Sequence, residues 1–422
     1  MISDRPNPIH GSGSQGSVDD RVSGRVRAMI PFEPCVSVGR PLQDMKSLGL
    51  LLLATIVAAE QRYDGYEVLR FYPETHEDLA FLAELRKDNR LDFWTEIRRP
   101  TTDVMVPPSM MNELQRLLSS HPIAHDTMIP DVQKLVDLQR AGMPEDGSPR
   151  AMSWDSYHRL SDIHDYLDEL AASYPDLVTV FSIGESFEGR DLKMIKISSG
   201  VATQKIWIDA GIHAREWIAP ATATYIIREL VENYDANKDI VDTFDWYIFP
   251  AHNPDGYEYT HTNVRSPGAS DDPCSDIFAG PEPFSESETA AVESFLIPEN
   301  ADGSFQVFLT VHSYSQVWLS PWSWTLELPV DYDDLRELGE IAITALAEVH
   351  GTEYEFGATT EIFYFAPGPS DDWAKGAAGI KYAYTIELRD TGTFGFLLPP
   401  EQIIPTGEET WAAVAAVARF FQ

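Results

Sequence analysis

Three short segments carry residue types that could do hydrolytic chemistry. His213 and Glu216 stand three apart in Gly211-Ile212-His213-Ala214-Arg215-Glu216-Trp217, just after the apolar run Ile206-Trp207-Ile208. His312 closes a second apolar run, in Leu309-Thr310-Val311-His312-Ser313-Tyr314. Two imidazoles and one carboxylate are the ligand set of a catalytic zinc whose fourth position stays open for water. An i, i+3 pair can reach one ion from a loop or a first helical turn, and the third ligand must come from elsewhere in space. Glu387, in Tyr384-Thr385-Ile386-Glu387-Leu388-Arg389-Asp390, offers a carboxylate for general-base work on that water. A His-x-x-Glu pair alone is a weak signal, because short motifs recur by chance. His252, His261, His350, His158 and His164 read as packed or surface histidines, with His158 free to face solvent.

The elements that must position these residues follow from periodicity. Between 61 and 128, Tyr66–Phe71 alternates like a strand and Glu77–Arg86 has helical spacing. Val104–Val106 is a further short strand and Met111–Leu118 a second helix, a small α+β layer. Residues 129–150 lose regularity, and Pro144–Arg150 reads as an exposed linker with Arg150 as a tryptic cut site and Arg140 as its rival. A soft linker with a basic residue between two units reads as a zymogen junction; the plain alternative is an ordinary interdomain linker.

From Trp154 onward helices and strands alternate. Asp155–Tyr174 places Tyr157, Leu160, Ile163, Leu167 and Leu170 on one helical face. Leu177–Ile183 and Leu192–Ile197 flank Gly189-Arg190-Asp191 as a hairpin. Lys205–Ala210, Trp246–Phe249 and Phe305–Val311 read as buried strands, and Pro220–Tyr234 and Leu335–Val349 as helices. Ser285 with Glu288, and Thr406 with Glu409, have the spacing of capping boxes ahead of two more helices. The fold class expected is α/β: a mixed, mostly parallel twisted sheet with helices on both faces, preceded by a small α+β domain.

Bulk composition narrows the partners. The chain has 422 residues, 43% hydrophobic, and a formal net charge of −36. Such an acidic surface repels nucleic acid and anionic membranes. It serves solubility, or attracts cationic substrates. Residues 45–59 place a lysine, an apolar stretch and small residues in the order of a secretory signal, too short for a comfortable membrane span. The signal is internal, so translation is expected to start at Met45, with 1–44 an unstructured or mis-assigned leader; a signal anchor or cytosolic form is the alternative. The cysteines are Cys35 and Cys274. Cys35 lies upstream of the signal, and a single cysteine in a secreted product points to a missing partner.

The flanking residues sharpen the reading. From Gly211 to Pro220 and from Ile380 to Ile404 the sequence closely resembles the pancreatic-type (A/B) zinc metallocarboxypeptidases, the funnelin family of secreted zymogens. Asn253-Pro254-Asp255-Gly256-Tyr257, His312-Ser313-Tyr314-Ser315-Gln316 and Glu387-Leu388-Arg389-Asp390-Thr391-Gly392 belong to the same resemblance, which runs from the signal to the C-terminus. It implies one zinc ion held by His213, Glu216 and His312, with Glu387 as general base. It implies substrate contacts from Arg215, Ser313, Tyr314 and Tyr364, the last closing over the peptide's C-terminus. Asp371 matches a pocket-floor position that is apolar in A-type and aspartate in B-type enzymes, where it would pair with a substrate Lys or Arg. Ser323 also looks B-type, while Thr359 and Pro369 fit neither type cleanly. The plain alternative makes Asp371-Asp372 a helix-capping pair. The domain plan implied is signal peptide 45–59, activation propeptide and linker 60–150, and zinc carboxypeptidase domain 151–422. The expected partners are peptide or protein C-termini and an activating trypsin-like protease. The expected location is extracellular.

The resemblance breaks after Val264-Arg265. The family's next stretch is absent, and the chain passes to Ser266-Pro267-Gly268 and on to Cys274. The arginine that stabilises the oxyanion, the Asn-Arg pair that clamps the terminal carboxylate, a carboxylate behind the first zinc histidine and the partner of Cys274 go with it. One lost oxyanion donor costs roughly 10²- to 10³-fold in rate. Arg265 is the candidate to reach the substrate in part compensation, although no feature of the sequence shows that it does. Two explanations stand: a gene model with a skipped exon, or a natural variant that binds zinc and turns over poorly. The expected activity is therefore removal of C-terminal residues, with a non-catalytic or weakly active zinc- and peptide-binding homologue as the alternative. His-Glu-x-x-His and Gly-x-Ser-x-Gly motifs do not occur.

Overall fold

Two sheets organise the chain. The computed structural model describes residues 61–144, 148–263, 281–363, 365–366 and 368–422, all within one compact unit, Ala54–Gln422. The first elements are β1 (Glu67–Phe71), α1 (His76–Leu85), β2 (Asp92–Phe93), β3 (Thr102–Val106), α2 (Pro108–Ser120), β4 (His125–Ile129) and α3 (Val132–Gln139). Their strands form an antiparallel sheet in the order β2-β3-β1-β4. Alternation along β1 sends Leu69 and Phe71 towards Leu82, Met110 and Leu114 of the helices. It sends Val68 the other way, into a cluster with Ile129, Val136, Tyr314 and Leu397. The small sheet is therefore covered on one face by its own helices and on the other by the second half of the chain, with β4 left exposed over His125–Thr127.

That second half comprises α4 (Leu160–Ser173), β5 (Val178–Glu185), β6 (Asp191–Ile197), β7 (Gln204–Ala210), α5 (Ile218–Val231), α6 (Tyr234–Thr243), β8 (Phe244–Phe249) and α7 (Pro254–Thr260). It continues through α8 (Ser287–Glu299), β9 (Phe305–Ser313), β10 (Val317–Ser320), α9 (Tyr332–His350) and β11 (Glu355–Ala358). It ends with α10 (Thr359–Ile362), α11 (Ser370–Gly376), β12 (Tyr382–Leu388) and α12 (Ile403–Arg419). The sheet order is β11-β10-β12-β9-β7-β8-β6-β5. Its central run, β12-β9-β7-β8, is parallel throughout, and antiparallel strands flank it. Ile206 and Ile208 of β7 pack on one face with α4, α5, α9 and α12, while Trp207 packs on the other with α8 and α11. Central parallel strands covered on both faces read as continuous apolar runs, as these do. The mixed α/β class with helices on both faces is the one the sequence led us to expect.

Several local expectations need correcting. Residues 129–150 are not irregular throughout, since α3 occupies Val132–Gln139. Its apolar face is only Val132 and Val136 deep, too short to show a period. The helix expected from Asp155 starts at Leu160. The Asp162 carboxylate there takes Nδ1 of His158 at 3.1 Å and the N–H of Arg159 at 3.4 Å, which holds the preceding turn out of the helix. His158 is thereby buried, not solvent-facing. Neither the Ser285/Glu288 nor the Thr406/Glu409 box forms. Glu286 precedes α8, and Ser285 hydrogen-bonds to Glu286 instead. Thr406 lies inside α12, where its hydroxyl donates to the Gln402 carbonyl at 2.6 Å. Glu409 is buried and takes the guanidinium of Arg389. Arg150 is not loosely exposed either. Its guanidinium donates to the carbonyls of Gly142, at 2.9 Å, and Tyr157, and its N–H donates to Asp162 at 3.1 Å. Arg140 is likewise docked, donating to the His261 carbonyl at 2.8 Å. The signal segment 45–59, the leader 1–44, Arg265, Cys274 and Tyr364 lie outside the described residues.

Candidate active site

The site gathers at the carboxyl ends of β7, β9 and β12, where open parallel sheets place their ligands. Gly211 ends β7 with φ +74°, and a Cβ there would lie 3.0 Å from Pro220. Only glycine adopts that backbone without strain. The chain therefore turns sharply and brings His213 back over the strand ends. Asn253 fixes this loop, accepting the Gly256 N–H at 2.8 Å and donating to the Ile212 carbonyl at 3.3 Å. Past β12, the Asp390 carboxylate accepts the N–H groups of Gly392, Thr393, Phe394 and Gly395 at 2.7–3.0 Å. The conspicuous Asn-Pro-Asp-Gly and Arg-Asp-Thr-Gly runs thus build the two loops around the site.

His213, Glu216 and His312 converge. His213 Nδ1 lies 2.9 Å from Glu216 Oε1, and His312 Nδ1 lies 3.1 Å from Glu216 Oε2. The two Nδ1 atoms face each other at 3.1 Å. Among the described residues this is the one group of three or more His, Cys, Asp or Glu side chains that could hold a metal ion, its donor atoms lying within 4.8 Å of one another. Glu216 and His312 are buried, whereas the His213 side chain is 65% exposed. Burial would raise the Glu216 carboxyl, but the two imidazoles outweigh it and hold it low. Burial would lower His312, and the Glu216 carboxylate overrides it, pushing the imidazole up to about 9. Two nitrogens and a carboxylate aimed at one point, with a single negative charge, fit a divalent cation of zinc's preferences. Glu387 is the cross-strand neighbour of His312 in the parallel β12/β9 register. Burial, then Glu216, raises its carboxyl; a cation held by the triad would oppose that shift.

A cavity of about 820 Å³ opens over the triad, lined by residues of both sheets including Phe93, Arg98, His213, His312, Glu387 and Phe396. The small sheet contributes two carboxylates that no sequence pattern singles out. Asp92, fully buried, sets both oxygens 3.1 Å from the Arg215 guanidinium, which itself stacks 4.1 Å over Phe396. Asp103, also buried, accepts the Tyr314 hydroxyl at 2.7 Å. Arg70 anchors that carboxylate and donates to the Thr391 carbonyl at 3.0 Å. Arg98 lies 4.0 Å over the Phe363 ring. Two of the expected substrate-contacting residues, Arg215 and Tyr314, are therefore engaged by the first 140 residues of the chain. Ser313 lines the cavity and is buried. Asp371 is fully buried, and neither of its oxygens finds a hydrogen-bond partner among the described residues. Burial, then neighbouring Asp372, pushes it up to about 7. Its neighbours Ser370 and Trp373 line the cavity together with Ser323, whose N–H donates to Asp372 at 2.9 Å. Arg265 and Tyr364 cannot be placed, being outside the described residues.

Comparison with known proteins identifies the arrangement. The profile of the family described as zinc carboxypeptidase matches residues 163–267 and 263–413, and that of the carboxypeptidase activation peptide matches 69–139. The chain belongs to the zinc carboxypeptidases. This carboxypeptidase is 49% identical to carboxypeptidase B of Astacus astacus over 299 residues, covering 64% of this chain and 98% of the relative. It is 35% identical to human carboxypeptidase A5 over 411 residues, covering 87% and 93%. Its fold matches the crystal structure of thrombin activatable fibrinolysis inhibitor with a TM-score of 0.77 at 30% identity, over 84% of this chain and 98% of the other. It is a metallocarboxypeptidase with zinc as cofactor, and it hydrolyses C-terminal peptide bonds. The family match divides at 263–267, the place where the resemblance loses its stretch. The 299 positions aligned with the crayfish enzyme exceed 64% of 422 residues, so that alignment runs across gaps in this chain.

Proposed function

We propose that His213, Glu216 and His312 hold the zinc of this carboxypeptidase and that Glu387 is its general base. The observation that carries this reading is the convergence of the three donor groups beside Glu387 on the adjoining strand. Zinc, when bound, polarises the scissile carbonyl and eases deprotonation of water. Glu387, desolvated and next to His312, takes the water proton and passes it to the leaving amine. Arg215 and Tyr314 orient the peptide once the small sheet is gone.

The preferred substrates end in Lys or Arg. Asp371 supports this, as a buried carboxyl without a partner beside the cavity wall: a cationic side chain would supply the missing charge and draw it into the ionised form. The chain is secreted through 45–59 as a zymogen. Residues 60–150 cover the site, and a trypsin-like protease frees residues 151–422 by cutting at Arg150. The size of the Astacus astacus relative supports that division, since 98% of it covers 64% of this chain and 151–422 is a segment of that size. No helix among the described residues is long and apolar enough to cross a membrane. The break at 263–267 favours a second reading for the rate: a carboxypeptidase that holds zinc and turns over slowly.

The experiment is release of C-terminal residues from synthetic peptides ending in Lys, Arg or Phe, before and after trypsin, with zinc measured in parallel. Zinc at one per chain and trypsin-dependent release of Lys and Arg are expected. Zinc without release places the chain among binding homologues, and a chain without zinc removes the triad's role.

A further inference from the structure

A line of polar side chains runs from His312 into the sheet, and its far members Asp209 and His252 reach the cavity lining. Asp209 of β7 and Thr310 of β9 are cross-strand neighbours in the parallel register, and Thr310 and His312 stand two apart on one face of β9. Asp209 and Thr310 are each 1% exposed. Asp209 Oδ2 accepts the Trp207 indole N–H at 2.7 Å, and Oδ1 accepts the Thr310 hydroxyl at 2.7 Å. The same hydroxyl oxygen lies 3.0 Å from His312 Nε2. His252 adds a third group, its Nδ1 4.0 Å from Asp209 Oδ1. Burial would raise the Asp209 carboxyl, but His252 and the two donors outweigh it and keep it low, so it is an acceptor only.

For the neutral imidazole that a bound cation requires, the proton count then has one solution. A hydroxyl carries one proton, and Thr310 spends it on Asp209. Its oxygen can only accept from His312, so His312 carries its proton on Nε2 and leaves Nδ1 bare. Nδ1 is the atom turned towards Glu216 and His213. We infer that Asp209 and Thr310 are positioning residues for the metal site, fixing the tautomer and ring orientation of His312 through a carboxylate–hydroxyl–imidazole relay. Groups that orient a ligating histidine from behind typically contribute 10- to 100-fold in metal affinity or activity. Here the relay uses an intervening threonine, and it serves the buried histidine rather than the exposed one. The inference rests on His312 being a zinc ligand.

The test is zinc affinity of the full-length protein, by competition with a chelator, for the wild type and for Thr310→Val, Thr310→Ser and His312→Ala. Thr310→Val keeps the shape and removes the relay, and is expected to weaken zinc binding by about 10- to 100-fold. Thr310→Ser keeps the hydroxyl and is expected to bind like the wild type. His312→Ala is expected to lose the ion. Wild-type affinity in Thr310→Val, with the ion lost in His312→Ala, overturns the relay and leaves the zinc site standing. Full affinity in His312→Ala overturns the site itself. Nitrogen-15 spectra of the zinc-loaded wild type give the same answer without a substitution: His312 protonated on Nε2 is expected, and a proton on Nδ1 contradicts the relay.

Discussion

The two imidazoles that meet at the proposed metal position stand in opposite settings. His312 lies on a central strand, buried, with Thr310 and Asp209 behind it and Glu387 beside it. His213 lies on a loop with a 65% exposed side chain, and it depends on Gly211 and Asn253 for its placement. The strand side is preorganised by the sheet. The loop side is the side the small sheet covers, through Asp92 on Arg215. It is also the side from which, by family resemblance, a supporting carboxylate has gone with the absent stretch. The fold thus holds half of the site rigidly and leaves control of access to the other half.

Breaking the strand side has the largest effect. Glu387→Gln is expected to lower turnover about 10²- to 10⁴-fold while zinc content stays at the wild-type level; loss of zinc in that variant would make Glu387 a ligand instead. On the loop side, Asp92→Asn leaves a nearly buried guanidinium without its counter-charge. Breaking such a pair costs about 3–5 kcal/mol at the upper end. The uncut chain should then show measurable release of C-terminal residues, and an uncut Asp92→Asn chain as silent as the wild type speaks against Asp92 holding the small sheet over the site.

The cavity wall gives a smaller effect. Asp371→Asn is expected to reduce the preference for Lys over Phe ends by about 10- to 100-fold, the worth of a charge-assisted hydrogen bond. The pH dependence has a definite sign. Asp371, pushed up to about 7, is ionised above that value and neutral below it. KM for Lys-ended peptides should therefore rise as pH falls through about 7, KM for Phe-ended peptides should not, and the difference should vanish in Asp371→Asn. Smallest is the effect at the junction. Asp162→Ala removes the carboxylate that takes the Arg150 N–H. That bond is worth about 0.5–1.5 kcal/mol, and the variant also frees His158 and the Arg159 N–H, so tryptic scission at Arg150 should quicken at least a few-fold.

The strand side was the more legible in sequence. An apolar run ending in histidine, or in glutamate before Leu-Arg-Asp, marks a buried strand delivering a polar group to a sheet end. The short turn from β7 into His-x-x-Glu is marked by Gly211. Register across strands was not legible, because nothing local says that Glu387 lies opposite His312 or Asp209 opposite Thr310. A hint was available in Ile206-Trp207-Ile208-Asp209-Ala210, where one acid interrupts an otherwise apolar strand and so needs buried donors. Asp92 and Asp103 escaped notice because their partners, Arg215 and Tyr314, lie more than 100 residues away. The Ser-x-x-Glu and Thr-x-x-Glu patterns misled because tertiary demands on Glu409, and the start of α8 beyond Ser285, outweigh a local cap worth about 1 kcal/mol.

The account stands on where the metal sits. X-ray absorption at the zinc edge of the purified chain tests this most directly. Two imidazole nitrogens at about 2.0–2.1 Å and a carboxylate oxygen at about 2.0–2.2 Å are predicted, with no sulfur neighbour. A sulfur shell at about 2.3 Å, or a chain that retains no zinc at all, would contradict it.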